Sequence, residues 1–199
     1  MALNKPFSQA CVNNREPITA VLKRLLAEGQ RVLEIGSGTG QHAVWIGQQI
    51  PTVTWQTSDR CENHSAIQQW VAESNLTNVY PPIALDVAID PLPNSQFDMI
   101  FSSNTAHIMA WQDVEKMFQL VSNRLNTGGY FCLYGPMQYD GIIEHASNRA
   151  FNQKLKSDCP HRAIRDVNEL NQLATNGNMQ WVEDNAMPAN NRLLVWLKS

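Results

Sequence analysis

The sequence predicts an α/β fold built on an open, mostly parallel sheet with helices on both faces. Three observations carry that expectation. The run Val32-Leu33-Glu34-Ile35-Gly36-Ser37-Gly38-Thr39-Gly40 joins an apolar strand to three alternating glycines, and a helical stretch over 41–50 follows until Pro51 stops it. Short apolar or β-branched runs at 52–58, 78–85, 97–102 and 130–134 alternate with stretches of helical period, which is the pattern of βαβ units. The chain then closes with 179–183 and 193–198, which read as an antiparallel hairpin. Sheets of this kind bind ligands beyond the carboxyl ends of their strands, where loops meet helix N-termini.

Composition narrows the classes. With 199 residues, 43% hydrophobic and 17% charged, the chain reads as one globular domain over 1–199 with a substantial core. The formal charge of −3 comes without a Lys/Arg cluster, so no nucleic-acid partner is expected. Cys11, Cys61, Cys132 and Cys159 stand far apart, with neither C-x-x-C nor zinc spacing, and read as free thiols in a reducing compartment with no metal site. Residues 1–7 are polar and no apolar run approaches membrane length. A cytoplasmic protein away from the membrane is therefore the expectation.

Each element has its own signal. Residues 3–16 read as polar and irregular; Pro17 then suits the first turn of a helix whose stripe Ile18, Val21, Leu22, Leu25 and Leu26 ends before Gly29. That helix is expected to deliver Asn14 and Arg15 to the sheet's ligand edge, the alternative being a solvated leader segment. The second strand, 52–58, ends at Asp59, 23 positions beyond Gly36. An acid about 20 residues after a glycine loop is placed to accept the hydroxyls of an adenosine ribose. A helix over 64–74 follows, then a third strand at 78–85 whose Pro81 and Pro82 assign it to a sheet edge. After a turn-rich linker at 91–96 come the fourth strand at 97–102 and a helix over 111–125 with Val114, Met117, Phe118, Val121 and Leu125 inward. Gly128-Gly129 ends that helix, and Gly135-Pro136 ends the fifth strand at 130–134. The stretch 137–147 is too long for a simple connection and is expected to cover a pocket. Helices at 148–156 and 166–176 precede the closing hairpin.

The glycine frame separates ligand classes. A dinucleotide fingerprint needs G-x-G-x-x-G, whereas Gly36-x-Gly38 is followed by Gln41 at the third position. Glu34-x-Gly36-x-Gly38-x-Gly40 instead resembles the first motif of the class I S-adenosylmethionine-dependent methyltransferases. Asp59, Asp86-Val87, Phe97-Asp98-Met99-Ile100-Phe101-Ser102 and the passage from Gly128 to Leu133 extend the resemblance in order and spacing. Asn13-Asn14-Arg15-Glu16-Pro17-Ile18, Asn104-x-x-His107-Ile108, Gly135-Pro136, Ser147-Asn148, Arg165-Asp166 and Met187-Pro188-Ala189-Asn190-Asn191 resemble one branch of it, methyltransferase-like proteins historically filed under a domain of unknown function. The resemblance implies a Rossmann-like, mostly parallel seven-stranded sheet with S-adenosylmethionine as cofactor and S-adenosylhomocysteine as product. It places Glu34, Gly36, Ser37, Gly38, Gly40 and Asp59 at the cofactor. Asp86 would accept from the adenine N6 while the Val87 backbone N–H donates to N1, and Asn14 and Arg15 would close over the cofactor.

Methyl transfer from a sulfonium is an in-line displacement that needs position and dryness more than a metal or a covalent intermediate. His107 is the candidate base, because imidazole titrates near neutrality, and Asn104 is placed to orient an amine or hydroxyl. A packing histidine ahead of the helix at 111 is the competing reading of His107. Trp111, Tyr134, Met137, Asn190 and Asn191 are expected to line an acceptor pocket for a small neutral or cationic molecule, the alternative for Asn190 and Asn191 being a plain turn. Two other functions fit parts of the pattern: a non-catalytic regulator that binds S-adenosylmethionine, and an NAD- or nucleotide-binding enzyme, against which Gln41 argues.

Overall fold

The computed structural model describes residues 5–91 and 93–199. Residues 1–4 and Leu92, within the linker at 91–96, lie outside the described residues, and so do the readings that fall on them. The strands are β1 (Arg31–Ile35), β2 (Thr54–Asp59), β3 (Val79–Ala84), β4 (Phe97–Ser103), β5 (Leu125–Gly135), β6 (Met137–Gln138), β7 (Arg165–Asp166), β8 (Met179–Met187) and β9 (Asn191–Lys198). The helices are α1 (Gln9–Leu25), α2 (Gln41–Gln49), α3 (His64–Ser74), α4 (Trp111–Arg124), α5 (Ala146–Asp158) and α6 (Val167–Asn176).

Seven strands form one sheet in the order β3-β2-β1-β4-β5-β9-β8. β1 pairs in parallel with β2 and β4, while β9 runs antiparallel to both β5 and β8. This is the expected parallel sheet with its closing hairpin. β1 is central, and Val32 to Ile35 are all buried, because helices cover both faces. One apolar cluster joins Ile18, Ile46, Trp55, Ile67 and Phe101 from α1, α2, α3 and their face of the sheet. The other joins Ile35, Phe118, Phe131, Leu170 and Trp196 beneath α4 and α6. There Phe131 stacks on Trp196 at 5.5 Å between centroids, and Phe118 meets Phe131 edge-on at 5.1 Å. β3 lies at the sheet edge, and its pairing with β2 shifts register between Gln56 and Ser58, opposite Pro81 and Pro82.

Three boundaries differ from the sequence reading. α1 begins at Gln9, eight residues before Pro17, with the Ser8 hydroxyl accepting from Cys11 N at 3.3 Å. Residues 9–16 hide their helical period because the buried positions Cys11 and Asn14 are weakly apolar or polar. Pro17 therefore sits inside a helix rather than at its first turn. β5 starts at Leu125, directly after α4, and the glycine pair lies within the strand. Its pairing with β4 shifts between Phe97 and Met99, an irregularity that admits Gly128 at φ +81°. The hairpin strands extend to Met187 and from Asn191, so the connection is a single turn of helix, Pro188–Asn190. The long stretch after β5 is tied down by β6, which pairs in parallel with β7. Among the described residues no helix is long and apolar enough to cross a membrane.

Candidate active site

Three adjoining cavities run along the carboxyl edge of the sheet. The first, about 550 Å³, is lined by Gly36, Ser37, Gly38 and Thr39, by Glu62 and Asn63 after β2, and by Pro6, Ser8 and Asn104. The second, about 730 Å³, shares Ser8 and Asn104 with it and adds His107, Pro136, Phe151, Asn190 and Asn191. The third, about 400 Å³, shares Asn148, Asn190 and Asn191 with the second and adds Met137, Tyr139, Glu144, Asp184 and Arg192.

The glycine loop is held by its neighbour strand. Gly36 N and Ser37 N both donate to Ser58 O, at 3.0 and 2.9 Å, and Gly38 N donates to Asp59 Oδ2 at 2.7 Å. Gly38 has φ +59°, and a Cβ there would meet no protein atom within 4 Å. The turn thus needs glycine for its backbone, and the space above it belongs to the cleft. Asp59 is buried; its Oδ1 accepts from Arg60 N and the Asn63 amide, both at 2.8 Å. Its carboxylate thus takes three protein donors, and Asp59 stands directly behind the Gly38 turn rather than among the residues that line the first cavity. A glycine turn at a helix N-terminus, a neighbouring acid and a cradle open above Gly38 fit an adenosyl amino acid.

Several expected residues lie elsewhere. Glu34 is fully buried beneath the loop, where Oε2 accepts from the Trp55 indole at 3.1 Å. Burial pushes its carboxyl up to about 7 against hydrogen bonds from Trp55 and Ser37 that pull it down. Strand alternation aims it under α2, not into the cleft. Gly40 caps α2 and packs on Ile67, where a Cβ would stand 3.1 Å from Cα. Arg15 stacks its guanidinium 3.8 Å from the Trp45 ring centroid, because the longer α1 turns it toward α2. Asn14 is buried and accepts from His42 Nε2 at 2.7 Å, so it reaches the cleft only through that ring. Burial, helped by Arg15, lowers the His42 pKa to about 4 and keeps it neutral. Asp86 follows β3, its Oδ1 taken by Ala88 N at 2.9 Å, and Val87 packs against the α4-side core; neither lines the cleft.

On the acceptor side, Asn104, His107, Asn190 and Asn191 do converge on the second cavity. Asn104 has φ +59° and Ala189 and Asn190 have φ +56° and +58°, left-handed conformations concentrated at the cavity wall. Met137 lines the third cavity instead. Trp111 starts α4 and packs on the core with the Arg165 guanidinium 5.7 Å away, so it lines none of the three. Tyr134 is buried, its hydroxyl within reach of the Asn14 and Asn191 amides, and burial raises its pKa. It supports the cavity from below.

Sequence reasoning gave no role to Ser8, Gln41, Asn148, Phe151 or Arg165. Gln41 is buried at the start of α2, where its amide oxygen accepts from Ser8 N and ties the N-terminal segment to the glycine loop. Arg165 donates to Ala106 O at 2.9 Å, to His161 O at 3.1 Å and to Met109 O, clamping the His107 loop. Asp166 caps α6 and accepts from Gly141 N at 2.7 Å. Of these, Ser8 and Asp166 carried a local signal, as the N-caps of α1 and α6.

Residues 5–198 match the family described as "Protein of unknown function (DUF938)". The chain belongs to that family. Among solved structures, an O-methyltransferase family protein from Burkholderia thailandensis resembles this family member with a TM-score of 0.81 at 13% identity, over 92% of this chain and 56% of that one. An O-methyltransferase family 2 protein from Planctomyces limnophilus, in complex with apigenin, gives 0.77 at 16%, over 94% and 62%. CalO1, a methyltransferase in calicheamicin biosynthesis in its S-adenosylhomocysteine-bound form, gives 0.73 at 15%, over 92% and 54%. This DUF938 chain thus has the S-adenosylmethionine-dependent methyltransferase fold, and it spans little more than half the length of these proteins.

Proposed function

We propose that the protein is an S-adenosylmethionine-dependent methyltransferase acting on a small-molecule acceptor. The observation that carries this is the wall at Ser8 and Asn104, which the cleft above Gly38 shares with the cavity lined by His107. Gly36, Ser37 and Gly38 would hold the amino-acid end of the cofactor against bare backbone, with Asp59 behind the turn accepting ribose hydroxyls. When bound, S-adenosylmethionine supplies an electrophilic methyl group and its own leaving group, so the acceptor's lone pair forms the new bond as the sulfur keeps the old one's electrons.

The chain's own residues then position and dry the acceptor. Asn104 is held by its strained backbone and by a 2.9 Å bond from its N to Tyr134 O, and its amide faces both cavities. His107 is 8% exposed, packs edge-on to Phe151 at 5.4 Å, and burial lowers its pKa to about 4, with Arg165 and Arg162 adding to the effect. It is neutral at physiological pH and acts as a hydrogen-bond acceptor that takes a proton only transiently. A rate that depends on neutral His107 should be flat from pH 9 to pH 6 and fall only as the pH nears 4.

Calorimetry tests the assignment. S-adenosylhomocysteine should bind at one site and NAD should not compete. Asp59→Ala should weaken that binding about ten- to a hundredfold, since charge-assisted hydrogen bonds contribute about 1.5–3 kcal/mol each. An unchanged dissociation constant in a folded Asp59→Ala protein removes the ribose contact.

A further inference from the structure

The cavity beyond Asn104 is sorted by charge. No Asp, Glu, Lys or Arg side chain is among its lining residues; the wall alternates apolar groups such as Pro136 and Phe151 with the amides of Asn104, Asn148 and Asn190. Charge begins only past those asparagines, in the third cavity, with Glu144, Asp184 and Arg192. There Asp184 is committed, accepting from Arg192 Nε at 2.6 Å and from the Tyr139 hydroxyl at 2.7 Å.

Among the described residues, His107 is the one titratable group in the wall of the second cavity. It is more than nine-tenths buried, and among the described residues neither ring nitrogen has a hydrogen-bond partner. The ring forms part of the cavity wall, so its acceptor nitrogen is available to a donor from a ligand. The charges near the ring are both guanidiniums. Arg165 sits behind the loop with its donors on the carbonyls of Ala106, Met109 and His161; Arg162 immediately precedes Ala163, whose N–H donates to His107 O at 3.1 Å, and its own Nε is buried without a partner. A cation placed against His107 would lose hydration, find no carboxylate and feel two positive charges. An anion would find no guanidinium in the wall to pair with.

We propose that this cavity takes an uncharged, partly aromatic acceptor that presents a hydroxyl or thiol hydrogen to His107, and that Arg162 and Arg165 behind the ring turn protonated amines away. The inference rests on the methyltransferase reading, with which it shares the site.

The test is binding by the protein saturated with S-adenosylhomocysteine, probed near pH 7 with phenol, benzylamine and benzoate. These probes share a ring and are respectively neutral, cationic and anionic at that pH. Phenol should bind at least tenfold more tightly than either charged probe and should shift the His107 ring resonances in NMR spectra. Arg162→Gln should narrow the discrimination against benzylamine several-fold and raise the His107 pKa followed by NMR, and Arg162→Lys should preserve both. Benzylamine binding as tightly as phenol, or phenol leaving the His107 resonances unmoved, overturns the proposal. Failure of S-adenosylhomocysteine itself to bind is a different result and overturns the methyltransferase reading.

Discussion

Gly38→Val should lose S-adenosylhomocysteine affinity by more than a hundredfold while the protein keeps its fold. The glycine loop has three positive-φ glycines, but their surroundings differ. A Cβ at Gly36 would stand 2.6 Å from Thr105 Cγ2, and one at Gly40 would stand 3.1 Å from the Ile67 backbone. Substitutions there act on the fold. At Gly38 a side chain would enter open space, so the protein bears only the backbone strain of a left-handed residue, about 1–2 kcal/mol. A ligand lying on that backbone would meet the valine directly. Calorimetry and thermal melting on the same samples separate the effects: Gly38→Val should lose binding with a drop of a few degrees in Tm, and Gly36→Val should lose both. Wild-type affinity in Gly38→Val would place the cofactor away from this loop.

The second large effect concerns stability. Glu34 is buried under the loop, and desolvation lifts its pKa from an ordinary 4.5 to about 7, the Asp59 charge adding a little. A carboxyl whose folded pKa is raised binds its proton more tightly in the native state. Its contribution is fully present below about pH 4.5 and is lost as the pH rises through about 7, a difference on the order of 3 kcal/mol. His42 and His107 act in the opposite sense, since their lowered pKa values give stability present above about 6.5 and lost as the pH falls through about 4. Glu34→Gln keeps an oxygen to accept from the Trp55 indole and removes the titration. Urea unfolding between pH 5 and pH 8 should show wild-type stability falling relative to Glu34→Gln across that range, the histidine contributions cancelling in the difference. Parallel curves for the two proteins would assign the pH dependence to another group.

Much of the molecule was legible along the chain, for local reasons. The strand–glycine–helix order of 32–50 dictates a βα unit whatever surrounds it, and the prolines of β3 suit only an edge. The same holds for Asp59, because its offset from the loop follows from the length of one helix and one strand. Residues whose work depends on a face were less legible. Glu34 read as a ligand contact because the sequence records its position next to the loop but not the alternation that turns it beneath α2. Arg15 moved to Trp45 once α1 extended to Gln9, a helix start masked by buried Cys11 and Asn14.

Alone, then, the sequence determined the sheet, its strand sequence and the glycine cradle, since those follow from periodicity and from the conformations that only glycine adopts readily. The tertiary structure decided which side chains meet. Asn104, His107, Asn148 and Asn190 come from three separate segments and share one uncharged wall, while Trp111, next to them in the chain, is turned into the core. No local pattern carries that sorting, because it is set by long-range contacts: Arg165 holding the His107 loop, and Asn148 Nδ2 donating to Asn190 O at 2.9 Å across 42 residues.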